Sequence, residues 1–116
     1  MKRSSDSLAL VKGTLDMLVL KALSWGPLHG YGIASWLEAR SKGTLNVEDS
    51  ALYQALHRLE ARRFVVAEWR ITENNRRARY YRMTPSGERY FDAQTRDWEQ
   101  YTQSISNILA AENLAG

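Results

Sequence analysis

The sequence DSALYQALHRLEARRF, residues 49–64, predicts one helix with two faces of different chemistry. At about 100° per residue, one face collects the apolar side chains of Leu52, Ala55, Leu56 and Leu59. The opposite face carries a phenol, an amide, an imidazole and a guanidinium, from Tyr53, Gln54, His57 and Arg58. All four groups can hydrogen-bond to phosphates or base edges. Taken alone, this helix fits a nucleic-acid reader or a solvated surface helix of accidental composition.

The composition narrows the class of protein. A chain of 116 residues corresponds to one domain with a single core. With 44% hydrophobic residues, no cysteine and no long apolar run, we expect a soluble cytoplasmic protein that does not associate with a membrane. The lack of cysteine excludes disulfides and thiolate metal sites. Only two histidines are present, His29 and His57, so a transition-metal site is not expected either.

Positive charge is concentrated in one segment. Residues 62–82 hold seven arginines and two glutamates, so this segment carries +5 and the rest of the chain sums to −2. The whole chain carries only +3. A clustered basic zone of this kind is typical of nucleic-acid-binding surfaces, although an arginine run by itself is more often solvated surface.

Two shorter helices are predicted ahead of the helix at 49–64. Thr14 suits the N-cap of a first helix, which Gly26 and Pro27 close at a tight corner. A second helix is predicted over residues 30–41. In the link that follows, Leu45 and Val47 alternate with polar residues and predict a short edge strand. Helix, helix, link and helix make a helix-turn-helix arrangement.

Beyond residue 64 the apolar period changes from helical to alternating. Residues 65–71 and 78–83 predict two strands, and Asn74 and Asn75 between them tolerate the backbone angles of a hairpin turn. Arg76 and Arg77 would lie at or beside the tip. A cationic hairpin that follows a polar-faced helix is typical of a wing, which contacts phosphate or the minor groove beside a major-groove helix.

The last predicted helix is longer than a small domain can cover. It begins at Thr84 and Pro85 and extends to about Glu112, on the order of 40 Å at 1.5 Å per residue. Two series at coiled-coil spacing predict a dimer seam: Phe91, Trp98 and Ile105, and Gln94, Tyr101 and Ile108. The alternative is a helix that packs only on its own domain. Self-association is favoured because the helix outruns the core.

The expected fold class is therefore mainly α with a small β hairpin. It divides into a winged helix-turn-helix DNA-binding domain over residues 1–84, with a flexible arm at 1–7, and a C-terminal dimerisation helix over 85–116. No nucleophile elbow, phosphate-cradling glycine loop or metal-ligand spacing occurs. We expect a protein that is not an enzyme and needs no cofactor.

These pieces resemble the PadR family of bacterial transcriptional regulators, specifically its short members with a single C-terminal helix. The matching segments are KGTLDMLVLKAL (12–23), GPLHGYGIA (26–34), ALYQALHRLEAR (51–62), NRRARYYRMTPSGE (75–88) and Trp98. The resemblance implies a homodimeric repressor of transcription that is associated with the nucleoid and binds an inverted-repeat operator. It also implies release when a small molecule or another signal arrives.

The resemblance, the polar face of the helix and the cationic hairpin together give a candidate DNA-binding set: Ser50, Ala51, Tyr53, Gln54, His57, Arg58, Arg76, Arg77 and Arg79. Within it, Tyr53 resembles the family's DNA-contacting tyrosine and Arg77 its wing base. Ser50 and Gln54 stand where the family often has glycine and proline, which should alter the base sequence that is read. Arg63 stands where the family often has glycine, so the helix is expected to end differently or to run on slightly.

Trp98 is the candidate effector-binding residue. Near the middle of the dimer helix, it could meet its symmetry mate and sandwich a planar aromatic compound, with Phe91 and Tyr101 lining the same region. Alternatively, Trp98 simply fills the seam and control comes from expression level alone. A different class of function also stays open, in which the winged domain is a protein-interaction module whose basic hairpin docks an acidic partner.

Overall fold

The fold was taken from a computed structural model that describes residues 13–113; the expected arm at 1–7 lies outside this range. In chain order the elements are α1 (Leu15–Leu23), β1 (Leu28–His29), α2 (Gly30–Arg40), α3 (Asp49–Ala61), β2 (Val65–Ile71), β3 (Arg77–Met83) and α4 (Pro85–Ala110). The three strands form one antiparallel sheet in the order β1-β3-β2. This is a mainly helical winged helix-turn-helix with a long C-terminal helix, which confirms the predicted fold class.

The core lies where the apolar faces of α1, α2 and α3 meet the inner face of the sheet. Its members are aliphatic side chains and one tyrosine, among them Val19, Leu20, Ile33, Leu52, Leu56, Leu59, Val65 and Tyr81. All four residues of the apolar face predicted for α3 are buried. The opposite face of α3 is thereby left to solvent.

The position of the third strand differs from the sequence prediction. No strand forms at residues 45–47, where Leu45 is an isolated bridge residue and Val47 has no regular structure. The short strand is instead β1, whose two residues pair with Tyr80 and Tyr81 of β3. Two residues are too few to show an alternating pattern, so only the packing of the folded chain reveals this strand.

The end of α3 also corrects the prediction of one helix over 49–64, because α3 ends at Ala61. Arg63 adopts the left-handed conformation, with φ of 62°. The Phe64 amide donates to the Leu59 carbonyl at 2.9 Å and the Arg63 amide donates to the Glu60 carbonyl at 3.0 Å. This is the Schellman pattern of helix termination. Arginine therefore ends the helix in the conformation that glycine usually adopts.

The N-terminus of α4 locks onto this corner. Thr84 caps the helix as predicted, since its Oγ1 accepts from the Gly87 amide at 3.0 Å. The same hydroxyl donates to the Arg63 carbonyl at 2.8 Å. A Cβ at Gly87 would collide with the Phe64 carbonyl oxygen, so only glycine allows this close approach. The junction fixes the direction in which α4 leaves the domain.

The second half of α4 projects from the domain. Tyr90 and Phe91 are partly buried against the core, whereas every residue from Glu99 to Ala110 except Thr102 is exposed. The radius of gyration is 17.1 Å, against roughly 13 Å for a compact chain of about 100 residues. Among the described residues, no helix is both long and apolar enough to cross a membrane.

Candidate nucleic-acid interface

The outward face of α3 presents most of the side chains that the sequence assigns to DNA binding. Ser50, Tyr53, Gln54 and His57 are all exposed. Ala51 differs, because it is half-buried and packs against the core. The face is therefore narrower than the predicted set, and its polar groups lie in a row along the helix.

Tyr53 is positioned by a glycine at the start of α2. A Cβ built on Gly30 would overlap the phenol of Tyr53, so the ring lies directly over that backbone. His29, the residue before, caps α2 by accepting the Gly32 amide on Nδ1 at 2.9 Å. The cap gives His29 a structural role beside the outward face of α3.

The wing is the hairpin of β2 and β3, and its tip extends beyond the domain. The face of the hairpin that packs on the core near the domain is exposed at the tip. Paired residues of an antiparallel ladder share a face, and here Ala67 pairs with Tyr81, Trp69 with Arg79, and Ile71 with Arg77. The pair nearest the domain is buried or half-buried, whereas Trp69, Ile71 and Arg77 are exposed. A groove of about 610 Å³ separates this face of the wing from Tyr53 and Gly30. The groove is the concave surface between helix and wing.

The predicted hairpin turn is present at residues 72–76. The Asn75 amide donates to the Thr72 carbonyl at 2.9 Å, and Asn75 has a φ of 59°. Asparagine tolerates this conformation better than most residues, which agrees with the turn predicted from Asn74 and Asn75. The turn places Arg76 beside the tip, and both Arg76 and Arg77 are exposed and border the groove.

Two of the predicted DNA-binding arginines already have intramolecular partners. Arg79 Nη2 lies 2.7 Å from a carboxylate oxygen of Glu60 on α3. Arg58 Nη2 lies 2.6 Å from a carboxylate oxygen of Asp16 on α1, and this hydrogen bond raises the pKa of the Arg58 guanidinium. These ion pairs join the wing and α1 to α3. They leave Arg76 and Arg77 as the cations at the tip that form no ion pair within residues 13–113.

Sequence reasoning missed three side chains that shape this site. Asp16 and Glu60 hold the arginines just described, and Trp69 lies under the guanidinium of Arg77. The contact of Trp69 could have been found from the strand register, since the turn at residues 72–76 fixes which residues face each other. The partner of Asp16 is 42 positions away, and no local pattern indicates it.

The residues predicted for the dimer seam and the effector site all lie on α4, but they differ in solvent exposure. Phe91, Gln94 and Trp98 are half-buried, whereas Tyr101, Ile105 and Ile108 are exposed. Trp98, Gln94 and Tyr101 line a second groove, of about 370 Å³, between α4 and the start of α1. The Trp98 and Tyr101 rings are 6.0 Å apart at their centroids. The arrangement brings two of the three predicted effector-binding residues together; Phe91 packs against its own core.

Comparison with known proteins identifies the family. The model of the transcriptional regulator PadR-like family matches residues 19–93. The chain belongs to the PadR family. This membership makes it a DNA-binding regulator of transcription and not an enzyme. Residues 13–113 contain no cluster of three or more side chains suited to a metal ion.

Three relatives show the extent of the similarity. A transcriptional regulator from Clostridium thermocellum is 27% identical with a TM-score of 0.76, over 83% of this chain and 93% of that one. A PadR family regulator from Eggerthella lenta is 28% identical with a TM-score of 0.75, over 87% and 86%. A 37.1 kDa protein of a Streptomyces fradiae transposon is 44% identical over 62% of this chain, but only 19% of its own length is covered.

Proposed function

We propose that this PadR-family chain is a homodimeric repressor that places α3 in the major groove and the wing on the adjacent backbone or minor groove. The observation that carries the proposal is the concave surface between α3 and the wing, with Tyr53 on one side and Arg76 and Arg77 on the other. Hydrogen-bonding side chains on one wall and unpaired cations on the opposite wall suit a duplex, whose base edges and phosphates lie side by side.

We assign different roles to the outward face of α3 and to the tip of the wing. Ser50, Gln54 and His57 are exposed on that face, and their hydroxyl, amide and imidazole groups can hydrogen-bond directly to base edges. Arg76 and Arg77 contribute charge, which supplies affinity with little dependence on sequence. Arg58 and Arg79 can act on DNA only by sharing or exchanging the carboxylates of Asp16 and Glu60. Their contribution is then mainly to orient the wing and α1 around α3.

Dimerisation is proposed through α4, which is why residues 85–116 are assigned to assembly and residues 1–84 to DNA. Support comes from the exposed apolar side chains on its projecting half, Tyr101, Ile105, Ile108 and Leu109. An exposed apolar stripe on a helix that leaves its domain is typical of an interface between copies. A twofold dimer would present two copies of α3 to the two halves of an inverted-repeat operator, one helical turn apart on the same side.

Release by a planar aromatic effector is proposed at the groove beside Trp98. Support comes from the half-buried indole, the nearby Tyr101 ring and the adjoining volume of about 370 Å³. A flat compound could stack on the indole at the dimer seam and change the separation of the two α3 helices. Quenching of tryptophan fluorescence by planar aromatic compounds, lost in Trp98→Ala, tests this part of the proposal.

Two substitutions test the roles assigned to the outward face of α3 and to the tip of the wing. Arg77→Ala should weaken binding to all duplex sequences alike, since it removes a phosphate or groove cation. Gln54→Ala should change the preferred base at one operator position by about 1–3 kcal/mol. Fluorescence anisotropy with a set of singly substituted duplexes measures both effects. Unchanged preference in Gln54→Ala would show that α3 does not read bases through this residue.

Matched controls come from α4, where the same residue types are exposed far along the chain from the groove. Arg96 and Gln100 are both exposed on that helix. Arg96→Ala removes the same charge as Arg77→Ala, and Gln100→Ala removes the same amide as Gln54→Ala. Both controls should bind the duplex as the wild type does. A loss in Arg96→Ala equal to that in Arg77→Ala would mean that total charge, and not the wing, sets the affinity.

A further inference from the structure

An exposed tryptophan contacts an arginine side chain near the tip of the wing. Trp69 is 58% exposed, and the Arg77 guanidinium carbon lies 4.7 Å from the centroid of its ring. The two residues lie on neighbouring strands, and Trp69 pairs directly with Arg79, two residues beyond Arg77. Arg77 therefore reaches Trp69 diagonally across one face of the hairpin, a distance that long and aromatic side chains span.

Arg77 differs in its contacts from two other arginines of the wing. Arg70 pairs with Glu68 at 2.7 Å, and Arg79 pairs with Glu60 at the same distance. Both of those guanidinium groups also lie over a tyrosine ring, at 5.4 and 5.9 Å from its centroid. Within residues 13–113 Arg77 forms no ion pair, and its ring contact, with the indole, is closer. A guanidinium stacked on an aromatic ring keeps the N–H donors along its edge available, whereas a carboxylate partner occupies one or more of them.

We propose that Trp69 is a positioning residue for DNA binding, whose indole holds the Arg77 guanidinium in the groove with its donor edge facing the duplex. The proposal rests on the proposed function. An unrestrained arginine side chain loses rotamer entropy when it is fixed. Because Arg77 is already stacked on Trp69, it has lost part of that freedom before DNA binds. The entropy cost of fixing its side chain on DNA is therefore smaller.

Exposure of the indole is consistent with this role. A large apolar side chain at the tip of a hairpin stabilises the fold little, because it contacts few other residues there. The chain offers a matched comparison in Trp25, which is 69% exposed and has the Lys21 ammonium 4.5 Å from its ring centroid. That contact lies in a cleft with Trp36 and Arg40, outside the groove between helix and wing.

A double-mutant cycle tests the proposal. Binding is measured by fluorescence anisotropy with the intergenic DNA duplex that flanks the protein's own gene. Trp69→Leu keeps an apolar side chain without a π face and should weaken binding about three- to fivefold, as expected for an exposed cation–π contact. Trp69→Phe keeps a π face and should stay within about twofold of the wild type. Combined with Arg77→Ala, Trp69→Leu should add no further loss, because Trp69 acts only through Arg77.

The controls separate this inference from the proposed function. Trp25→Leu should bind as the wild type, and thermal unfolding checks that each variant is folded. Additive losses in the double variant, or a Trp69→Phe variant as weak as Trp69→Leu, would overturn the positioning role. So would wild-type affinity in Trp69→Leu when Arg77→Ala is weak. A wild-type chain that binds no duplex would instead refute the proposed function itself, and this inference with it.

Discussion

Arg63 adopts a backbone conformation that glycine would adopt without steric cost. Its φ of 62° places it in the left-handed region, where a Cβ costs roughly 1–2 kcal/mol. The hydrogen bonds of Phe64 and Arg63 to the last turn of α3, and those of Thr84 and Ser86 to the Arg63 carbonyl, hold the corner in place. The strain is thus offset by contacts that join α3, β2 and α4.

Arg63→Gly should therefore stabilise the protein. Relief of the Cβ contact is partly offset by the greater entropy of glycine in the unfolded chain, so we expect a net gain of about 0.5–1 kcal/mol. Arg63→Ala is the matched control, because it removes the same charge but keeps a Cβ. Urea unfolding of the three proteins measures the effect. An equal gain in both variants would mean that charge repulsion, and not backbone strain, is relieved.

Tyr81 is a buried ionisable residue in the middle of the sheet. It is 2% exposed, and burial raises the pKa of its hydroxyl above the ordinary value of 10.0. A raised pKa means that the folded state holds the proton more tightly than the unfolded state does. This contribution to stability is complete below pH 10 and is lost as the pH rises through the higher pKa of the folded state.

The free energy of unfolding of the wild type should consequently fall in alkaline solution, and that of the Tyr81→Phe variant should fall less. At neutral pH the variant should lie within about 1 kcal/mol of the wild type, because only one hydroxyl is removed. The free energy of unfolding in urea, measured between pH 8 and 11, provides the comparison. Tyr31 is 79% exposed, so the Tyr31→Phe variant should lose as much unfolding free energy in alkaline solution as the wild type does. The account is contradicted if the Tyr81→Phe variant loses as much too.

At the scale of elements, local signals in the sequence predict most of the fold. The N-cap positions of α1 at Thr14 and of α4 at Thr84, the Gly-Pro corner at 26–27 and the asparagines of the hairpin turn all lie where they were expected. Such signals depend on a few neighbouring residues, and their physics is the same in any fold. Strand β1 was missed because its two residues are defined only by their partners in β3.

The candidate site was predictable in part, for the same reason. The exposed face of α3 and the cationic tip follow from periodicity and turn chemistry. The ion pairs of Arg58 with Asp16 and of Arg79 with Glu60 do not, because each joins elements that meet only in the folded domain. Periodicity assigned Arg58 to the outward face correctly, but it could not indicate that a neighbouring helix supplies a carboxylate.

The whole molecule is elongated, because the second half of α4 projects from the domain. The principal-axis extents are 67 × 41 × 21 Å, and the projecting half of α4 is exposed along its apolar seam. An isolated helix of this kind gains most of its stability from packing against another surface. The proposed dimer would supply that surface by pairing the two copies of α4.

Charges placed in the seam should therefore separate the dimer without unfolding the domain. We expect the double variant Ile105→Glu, Ile108→Glu to raise the dimer dissociation constant at least tenfold, because each subunit would bring two carboxylates to an apolar interface. Sedimentation velocity measures the change. The control is Ser106→Glu, Ala110→Glu, which adds the same charge at exposed positions away from the seam. An unaffected dimer in the seam variant would place the interface elsewhere.

The most direct test of DNA recognition is a titration of the wild-type chain against the intergenic duplex that flanks its own gene, at salt concentrations from 50 to 200 mM. We predict a complex of two chains per duplex whose affinity falls about a thousandfold or more over that range, as release of counterions from several phosphates requires. No complex at micromolar protein, or an affinity indifferent to salt, would contradict the account.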